Sequence, residues 1–357
     1  MKPFCKPNHS FDGLCVFPRM IFANAVSAPA KIILVTNQLT VLAIAEFEIS
    51  KLFPDLRYKG VSFVKILLVI LTALAAFHSA IADAKGKHGH IGKEVAELPF
   101  FDAHMHYNEQ AWGPVPPKAV LTMMDDSGVA MALVSSTPDE GTLTLLNFAP
   151  SRIIPELRPY HGEANSTNWT RVPDMFEYLS KRLANHPYQG VGEFHLHEVS
   201  TEDETLLRQI AAIAKERELL IHIHSGKAPV DLLYGMEPDL RIIWAHAGMI
   251  EPAKVVEAMM ARYDTLYADT SYREFDIMNE DGSIDADWRR VIERFPDRFM
   301  IGSDTWTNSQ WAEYRDLIRI NRKWLSQFSR PVAESIAYKN AERLLGRKVS
   351  NHLLETR

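Results

Sequence analysis

The chain has 357 residues, a formal net charge of −6 and 46% hydrophobic residues, a composition typical of a folded globular protein. The mildly acidic balance excludes nucleic acid as the main partner, because no basic stripe is available to neutralise phosphates. The expected partner is therefore a small molecule, and the length allows one large domain or two average ones.

The N-terminal part of the sequence resembles a targeting segment. The apolar run ILLVILTALAA at 66–76 follows Lys59 and Lys65, and the small-residue sequence Ala80-Ile81-Ala82 comes after it. A basic flank, a short apolar run and a small-x-small site in this order are typical of a signal peptide. A buried core helix is the alternative, whereas a membrane span would need ~20 apolar residues. We therefore expect no stable membrane span in the mature chain.

The position of this segment suggests where the mature chain begins. No methionine lies between Met20 and Met105, so translation from a valine codon such as that of Val64 would give an ordinary export signal. We predict that 1–63 is an over-extended or disordered segment and that 64–82 is signal peptide-like. Cleavage near Ala82/Asp83 would then release a periplasmic or secreted chain, 83–357. Both cysteines lie before that point, so the mature chain would contain no disulfide.

Short apolar runs alternate with amphipathic stretches along 83–357. Strands are predicted at 99–104, 131–135, 153–159, 190–194, 219–224, 241–245, 265–269 and 298–302. Helices are predicted at 117–127, 173–185, 202–218, 228–235, 252–263, 285–295, 309–327 and 331–345. Eight strands that alternate with helices favour a parallel sheet. The predicted fold is α/β, a single-domain (β/α)₈ TIM barrel, with a doubly wound open sheet as the alternative.

Polar side chains cluster at the C-terminal ends of these strands, which is where a barrel places its active site. His104 and His106 end the first strand, and their i, i+2 spacing points both imidazoles to one side. Two imidazoles placed in this way can bind Zn²⁺ or a similar ion. The ends of strands four, five, six and eight also carry a histidine or a carboxylate: Glu193, His222, His224, His246 and Asp304. Together these residues predict a divalent metal site.

With these motifs the sequence resembles the amidohydrolase superfamily, in the amidohydrolase-related branch that includes aminocarboxymuconate semialdehyde decarboxylase. The shared motifs are paired histidines after strand one, single histidines after strands five and six, and Gly-Ser-Asp after strand eight. The resemblance extends from about Phe100 to Leu345. It implies that His104 and His106 are metal ligands. It also implies that His246 is a ligand or polarises a carbonyl, and that Asp304 is both a ligand and a proton shuttle.

Two positions stay open at this stage. The family pattern places the strand-five ligand at His224, which puts His222 one layer deeper as a hydrogen-bonded side chain or a substrate contact. Glu193 could bridge two ions or orient a ligand histidine. The expected cofactor is therefore one or two divalent ions, zinc first, with manganese, iron or cobalt as alternatives.

The predicted activity is that of an exported metal-dependent hydrolase. Metal-activated water would attack an ester, lactone or amide carbonyl, with Asp304 as general base and then acid. Arg158 and Arg273 suit a substrate carboxylate or pair with neighbouring acids. Trp306 and Trp112 would form apolar walls or pack under loops.

Two other functions are compatible with this set of residues. One is a metal-dependent decarboxylase of an aromatic or unsaturated acid, although the export signal weighs against it. The other is a non-catalytic metal or ligand binder on a degenerate barrel, although the chain keeps all the principal ligands. The sequence does not identify the substrate, and a homo-oligomer is compatible with it.

Overall fold

The structure is a computed structural model that describes residues 98–349. The predicted signal peptide and its cleavage point lie outside these residues. No helix within the described range is long and apolar enough to span a membrane.

Eight parallel strands form two hydrogen-bonded arcs, β1 to β3 and β4 to β8. The arcs join because Leu157, just after β3, pairs with Val191 of β4, and because Ala103 N of β1 donates to Ile301 O beyond β8 at 2.9 Å. The result is the predicted closed barrel. The strands are β1 (Phe100–Met105), β2 (Val129–Ser135), β3 (Ile153–Glu156), β4 (Gly190–His195), β5 (Leu220–His224), β6 (Arg241–Trp244), β7 (Leu266–Asp269) and β8 (Phe299–Met300).

Helices follow the strands along the chain. They are α1 (Glu109–Trp112), α2 (Pro117–Ser127), α3 (Glu140–Phe148), α4 (Met175–Asn185), α5 (Thr201–Glu216), α6 (Lys227–Met236), α7 (Ala253–Arg262), α8 (Glu274–Ile277), α9 (Ala286–Arg294), α10 (Asn308–Leu325), α11 (Arg330–Glu334) and α12 (Asn340–Leu345). Short 3₁₀ turns lie at Trp169–Arg171 and Ala245–Gly248.

The helix prediction missed three helices, the one-turn α1 and α8 and the longer α3, and it was wrong about the last helix. Helix α3 was not predicted, because its sequence EGTLTLLNF contains Gly and two threonines, which are poor helix formers. The single helix predicted at 331–345 is interrupted by a π turn at Ser335–Lys339. The turn packs its buried residues Ile336 and Ala337 against the barrel strands β1 and β8.

The packing of apolar side chains leaves one end of the barrel for polar groups. Residues from six of the strands and from α12 form one buried cluster, which includes Phe101, Leu133, Ile154, Ile243, Met300 and Leu344. A larger cluster fills the space between the sheet and the surrounding helices. Because the strands are parallel, their C-terminal ends meet at the same rim, and the predicted polar residues follow them there.

Candidate metal centre

Four of the predicted ligands bring their donor atoms together at this rim. The Nε2 atoms of His104 and His106 lie 3.1 Å apart. Glu193 Oε2 is 3.7 Å from the first and 3.3 Å from the second. Asp304 Oδ1 is 3.5 and 3.1 Å from the same two nitrogens. Ligands bound tetrahedrally at ~2.0–2.1 Å from one ion would be about 3.3 Å apart, so the observed separations fit a shared ion.

The hydrogen bonds on the far side of each ring fix which nitrogen faces the carboxylates. His106 Nδ1 contacts the carbonyl oxygen of Ser135, and His246 Nδ1 contacts that of Ser271 at 3.0 Å. Carbonyl oxygens only accept, so both Nδ1 atoms carry the proton and both Nε2 atoms present lone pairs. Lone pairs that face buried carboxylates repel one another unless a cation lies between them. The donor set therefore fits a divalent metal ion.

The electrostatics of His104 agree with this assignment. Burial lowers the pKa of its imidazole, but the carboxylates of Asp269, Asp304 and Glu193 raise it more, and the net shift is upward. Three acidic groups around one buried ring form a site that stabilises positive charge.

A second donor set lies on the other side of Glu193. Glu193 Oε1 is 2.8 Å from His224 Nδ1 and 3.6 Å from His246 Nε2. Asp304 Oδ2 is 3.8 Å from the same His246 nitrogen. The two oxygens of Glu193 thus face two different pairs of histidines. Of the two histidines in strand five, the structure brings His224 to this cluster.

The backbone holds His246 and Asp304 in unusual conformations. Their φ angles are 54° and 47°, in the left-handed region that non-glycine residues rarely adopt. Asp304 N donates to the carbonyl oxygen of His104 at 2.6 Å, which ties the end of β8 to β1. A side chain at Gly302 would lie 2.7 Å from His104 Cβ, so glycine is required for this close approach. Such strained positions cluster at functional sites.

A chain of buried groups extends from His104 into the barrel. His104 Nδ1 is 3.2 Å from Asp269 Oδ2, and the same oxygen is 3.2 Å from His222 Nε2. His222 Nδ1 in turn is 3.1 Å from Glu156 Oε2. Burial lowers the pKa of His222, but Glu156 and Asp269 raise it to about 9. His222 therefore donates from both nitrogens, and it orients Asp269, which orients His104.

Sequence reasoning missed Asp269. It is the last residue of the strand predicted at 265–269, so its position at a strand end was the signal that could have identified it. Its pKa is held well below the usual range because His104 and His222 outweigh its burial.

A cavity of about 590 Å³ opens beside the donor cluster. It is lined by Thr137, Arg158, Tyr160, Ala164, Asn165, Ser166, Glu193, His195, His224, His246, Met249, Tyr272, Asp304, Trp306 and Gln310. The predicted substrate contacts Arg158 and Trp306 are among these residues. Arg158 also bonds to Glu193, with Nε donating to the carbonyl oxygen at 2.9 Å and Nη2 to Oε2 at 2.8 Å.

Three other predicted side chains lie away from this cavity. Arg273 donates to the carbonyl oxygens of Met249 and Glu251, so it supports the loop after β6 and not a substrate. His222 lies between Glu156 and Asp269, as expected for a hydrogen-bonded side chain one layer deeper, and the alternative prediction of a substrate contact was wrong. Trp112 donates to the carbonyl oxygen of Tyr107 at 3.0 Å and packs under its loop. Of its two predicted roles, it therefore has the packing role and does not form an apolar wall of the cavity.

Comparisons with known proteins identify the family. The model of the amidohydrolase family matches residues 101–347. A search of curated proteins found no match. A solved structure from Pseudomonas putida, provisionally described as a 2-pyrone-4,6-dicarboxylic acid hydrolase, is 14% identical and covers 71% of this chain and 99% of its own, with a TM-score of 0.51.

A second solved structure is the phosphotriesterase homology protein from Escherichia coli, complexed with phosphate in its active site. It is 13% identical and covers 70% of this chain and 98% of its own, with a TM-score of 0.50. At these identities the two structures show the fold alone. The family match covers most of the chain, so the chain belongs to the amidohydrolase family and is a metal-dependent hydrolase.

Proposed function

We propose that this chain is an exported hydrolase that binds two divalent ions and cleaves the ester, lactone or amide bond of a small molecule. The observation that carries the proposal is the convergence of three imidazole Nε2 atoms on the carboxylates of Glu193 and Asp304. The nitrogen lone pairs and the two negative carboxylates repel one another, so this arrangement needs a cation between them.

The two donor sets suggest how the ions would be held. His104, His106, Asp304 and Glu193 Oε2 would bind the first ion. His224, His246 and Glu193 Oε1 would bind the second. Histidine and carboxylate ligands suit Zn²⁺ first, and Mn²⁺, Fe²⁺ or Co²⁺ would also fit this donor chemistry.

When bound, such ions supply a water of lowered pKa and polarise the substrate carbonyl. Asp304 lines the cavity and is therefore placed to take the proton of the attacking water and return it to the leaving group. Burial raises the pKa of Asp304, but His104 and His106 lower it to about 2, so the carboxylate is ionised at neutral pH. His246 also lines the cavity, and its Nε2 lone pair would hold the second ion beside the substrate carbonyl.

Arg158 is already paired with a carboxylate of the protein. Of the described residues that line the cavity, it is the one lysine or arginine. Its Nε and Nη2 atoms both donate to Glu193. Arg158 therefore positions Glu193 and is not free to pair with a substrate carboxylate.

The test is hydrolysis by protein stripped of metal with a chelator and then reloaded with Zn²⁺ or Mn²⁺. We expect turnover of ester or lactone substrates only after reloading, and a kcat that is about 10²- to 10⁴-fold lower with Asp304→Asn. Activity of the stripped protein, or release of CO₂ in place of hydrolysis, would contradict the proposal. Export is tested separately by fractionating the native host and sequencing the N-terminus of the mature chain, which is expected at Asp83.

A further inference from the structure

We propose that the substrate is an ester or lactone with an extended apolar group, and that this group lies against Met249, Tyr272 and Trp306. The inference rests on the proposed hydrolysis and adds the substrate class. It is argued from the places where large apolar side chains are exposed and from the hydrogen bonds that fix the backbone there.

Large apolar side chains are exposed at few places in the described part of the chain. They are Phe148 at 53%, Met249 at 40%, Ile250 at 90%, Phe275 at 81% and Trp306 at 51%. All but Phe148 follow β6, β7 or β8, at the end of the barrel that carries the donor cluster. Met249 and Trp306 also line the cavity, so the exposed apolar surface is continuous with the candidate active site. An exposed apolar patch at a cavity mouth is typical of a ligand-binding surface.

Met249, Tyr272 and Trp306 form the apolar wall of the cavity, and hydrogen bonds fix the backbone of this wall at Trp306 and Met249 before a ligand binds. The carbonyl oxygen of Trp306 accepts hydrogen bonds from Asn108 Nδ2 at 3.0 Å and from Gln110 Nε2 at 2.7 Å. The carbonyl oxygen of Met249 accepts from the buried Arg273. A preorganised surface loses less conformational freedom on binding, so contacts with an apolar group contribute more of their energy to affinity.

The experiment uses the metal-loaded full-length protein and γ-lactones with unbranched alkyl side chains of increasing length. Each buried methylene is expected to raise kcat/KM about fourfold. Trp306→Ser should flatten this dependence, whereas Phe148→Ser, which removes an exposed aromatic ring elsewhere, should leave it unchanged.

Binding of non-hydrolysable cyclic ketones with the same side chains, measured by calorimetry, tests the wall independently of turnover. A rise in affinity with chain length that Trp306→Ser abolishes supports the proposal. Affinity and kcat/KM that do not depend on chain length would overturn it. If the affinity for the ketones rises with chain length but no lactone or ester is hydrolysed, the proposed function is wrong, whereas the proposal of an apolar binding surface is still supported.

Discussion

Replacement of His222 by phenylalanine tests whether the buried chain behind His104 organises the metal centre. The substitution keeps a ring of similar size but removes the hydrogen bonds to Glu156 at 3.1 Å and to Asp269 at 3.2 Å. Each charge-assisted bond contributes ~1.5–3 kcal/mol, and removal of one partner from a buried ionic set costs ~3–5 kcal/mol. We therefore expect His222→Phe to lower the free energy of unfolding by about 3–5 kcal/mol.

The same substitution should weaken metal binding, although His222 is not expected to contact an ion. Asp269 would lose the partner that orients it, and His104 would lose its alignment in turn. Loss of a group that orients a metal ligand typically weakens affinity about 10- to 100-fold. The assay is competition with a chromophoric chelator, together with chemical denaturation of the metal-free protein.

A matched control separates positioning from general destabilisation. Leu207 is fully buried in α5, within the apolar cluster between the sheet and the helices, so Leu207→Ala is a core truncation that costs ~2–5 kcal/mol. This variant should keep the metal affinity of the wild type. If His222→Phe is destabilised to the same extent and also keeps that affinity, the positioning role of His222 is refuted.

Three further predictions follow from named contacts. Asp304→Asn should lower kcat by about 10²- to 10⁴-fold because it removes the proton acceptor, while circular dichroism stays unchanged. His224→Ala should reduce the number of bound ions by one in elemental analysis, since His224 belongs to the second donor set alone. At Asp203, burial raises the pKa, but hydrogen bonds from Thr170 and Ser200 lower it from 3.8 to about 2. At pH values above its pKa in the unfolded chain, the carboxylate therefore stabilises the fold by about 2 kcal/mol. This contribution is lost as the pH falls from about 4 to 2. Urea denaturation should show Asp203→Asn less stable than wild type at pH 7, with a gap that closes over that acid range; a constant gap would contradict the assignment.

Much of the barrel could be predicted because its strands are apolar runs that end in polar residues. Strand β5 begins one residue later than predicted and ends at the predicted residue, and β2 begins two residues earlier. Strand β3 ends at Glu156 and not at residue 159, since Leu157 continues only as an isolated bridge to β4. Local sequence cannot specify where pairing stops, because that depends on the neighbouring strand.

The candidate site was predictable only in part for the same reason. His104, His106, Glu193, His246 and Asp304 each follow an apolar run, and the structure brings all five together. The chain from His104 to Glu156 was not predictable, because it links four strands through side chains far apart in sequence. The partners of Arg273 also depend on tertiary contacts, here with the carbonyl oxygens of the loop after β6.

The central claim is that the strand-end residues hold two divalent ions that enable hydrolysis. The most direct measurement titrates metal-free protein with Zn²⁺ and follows bound ion and lactone hydrolysis in the same samples. Binding should saturate at two ions per chain, and hydrolysis should appear only as the sites fill. Full hydrolysis in the metal-free protein, or saturation with ions without any hydrolysis, would contradict it.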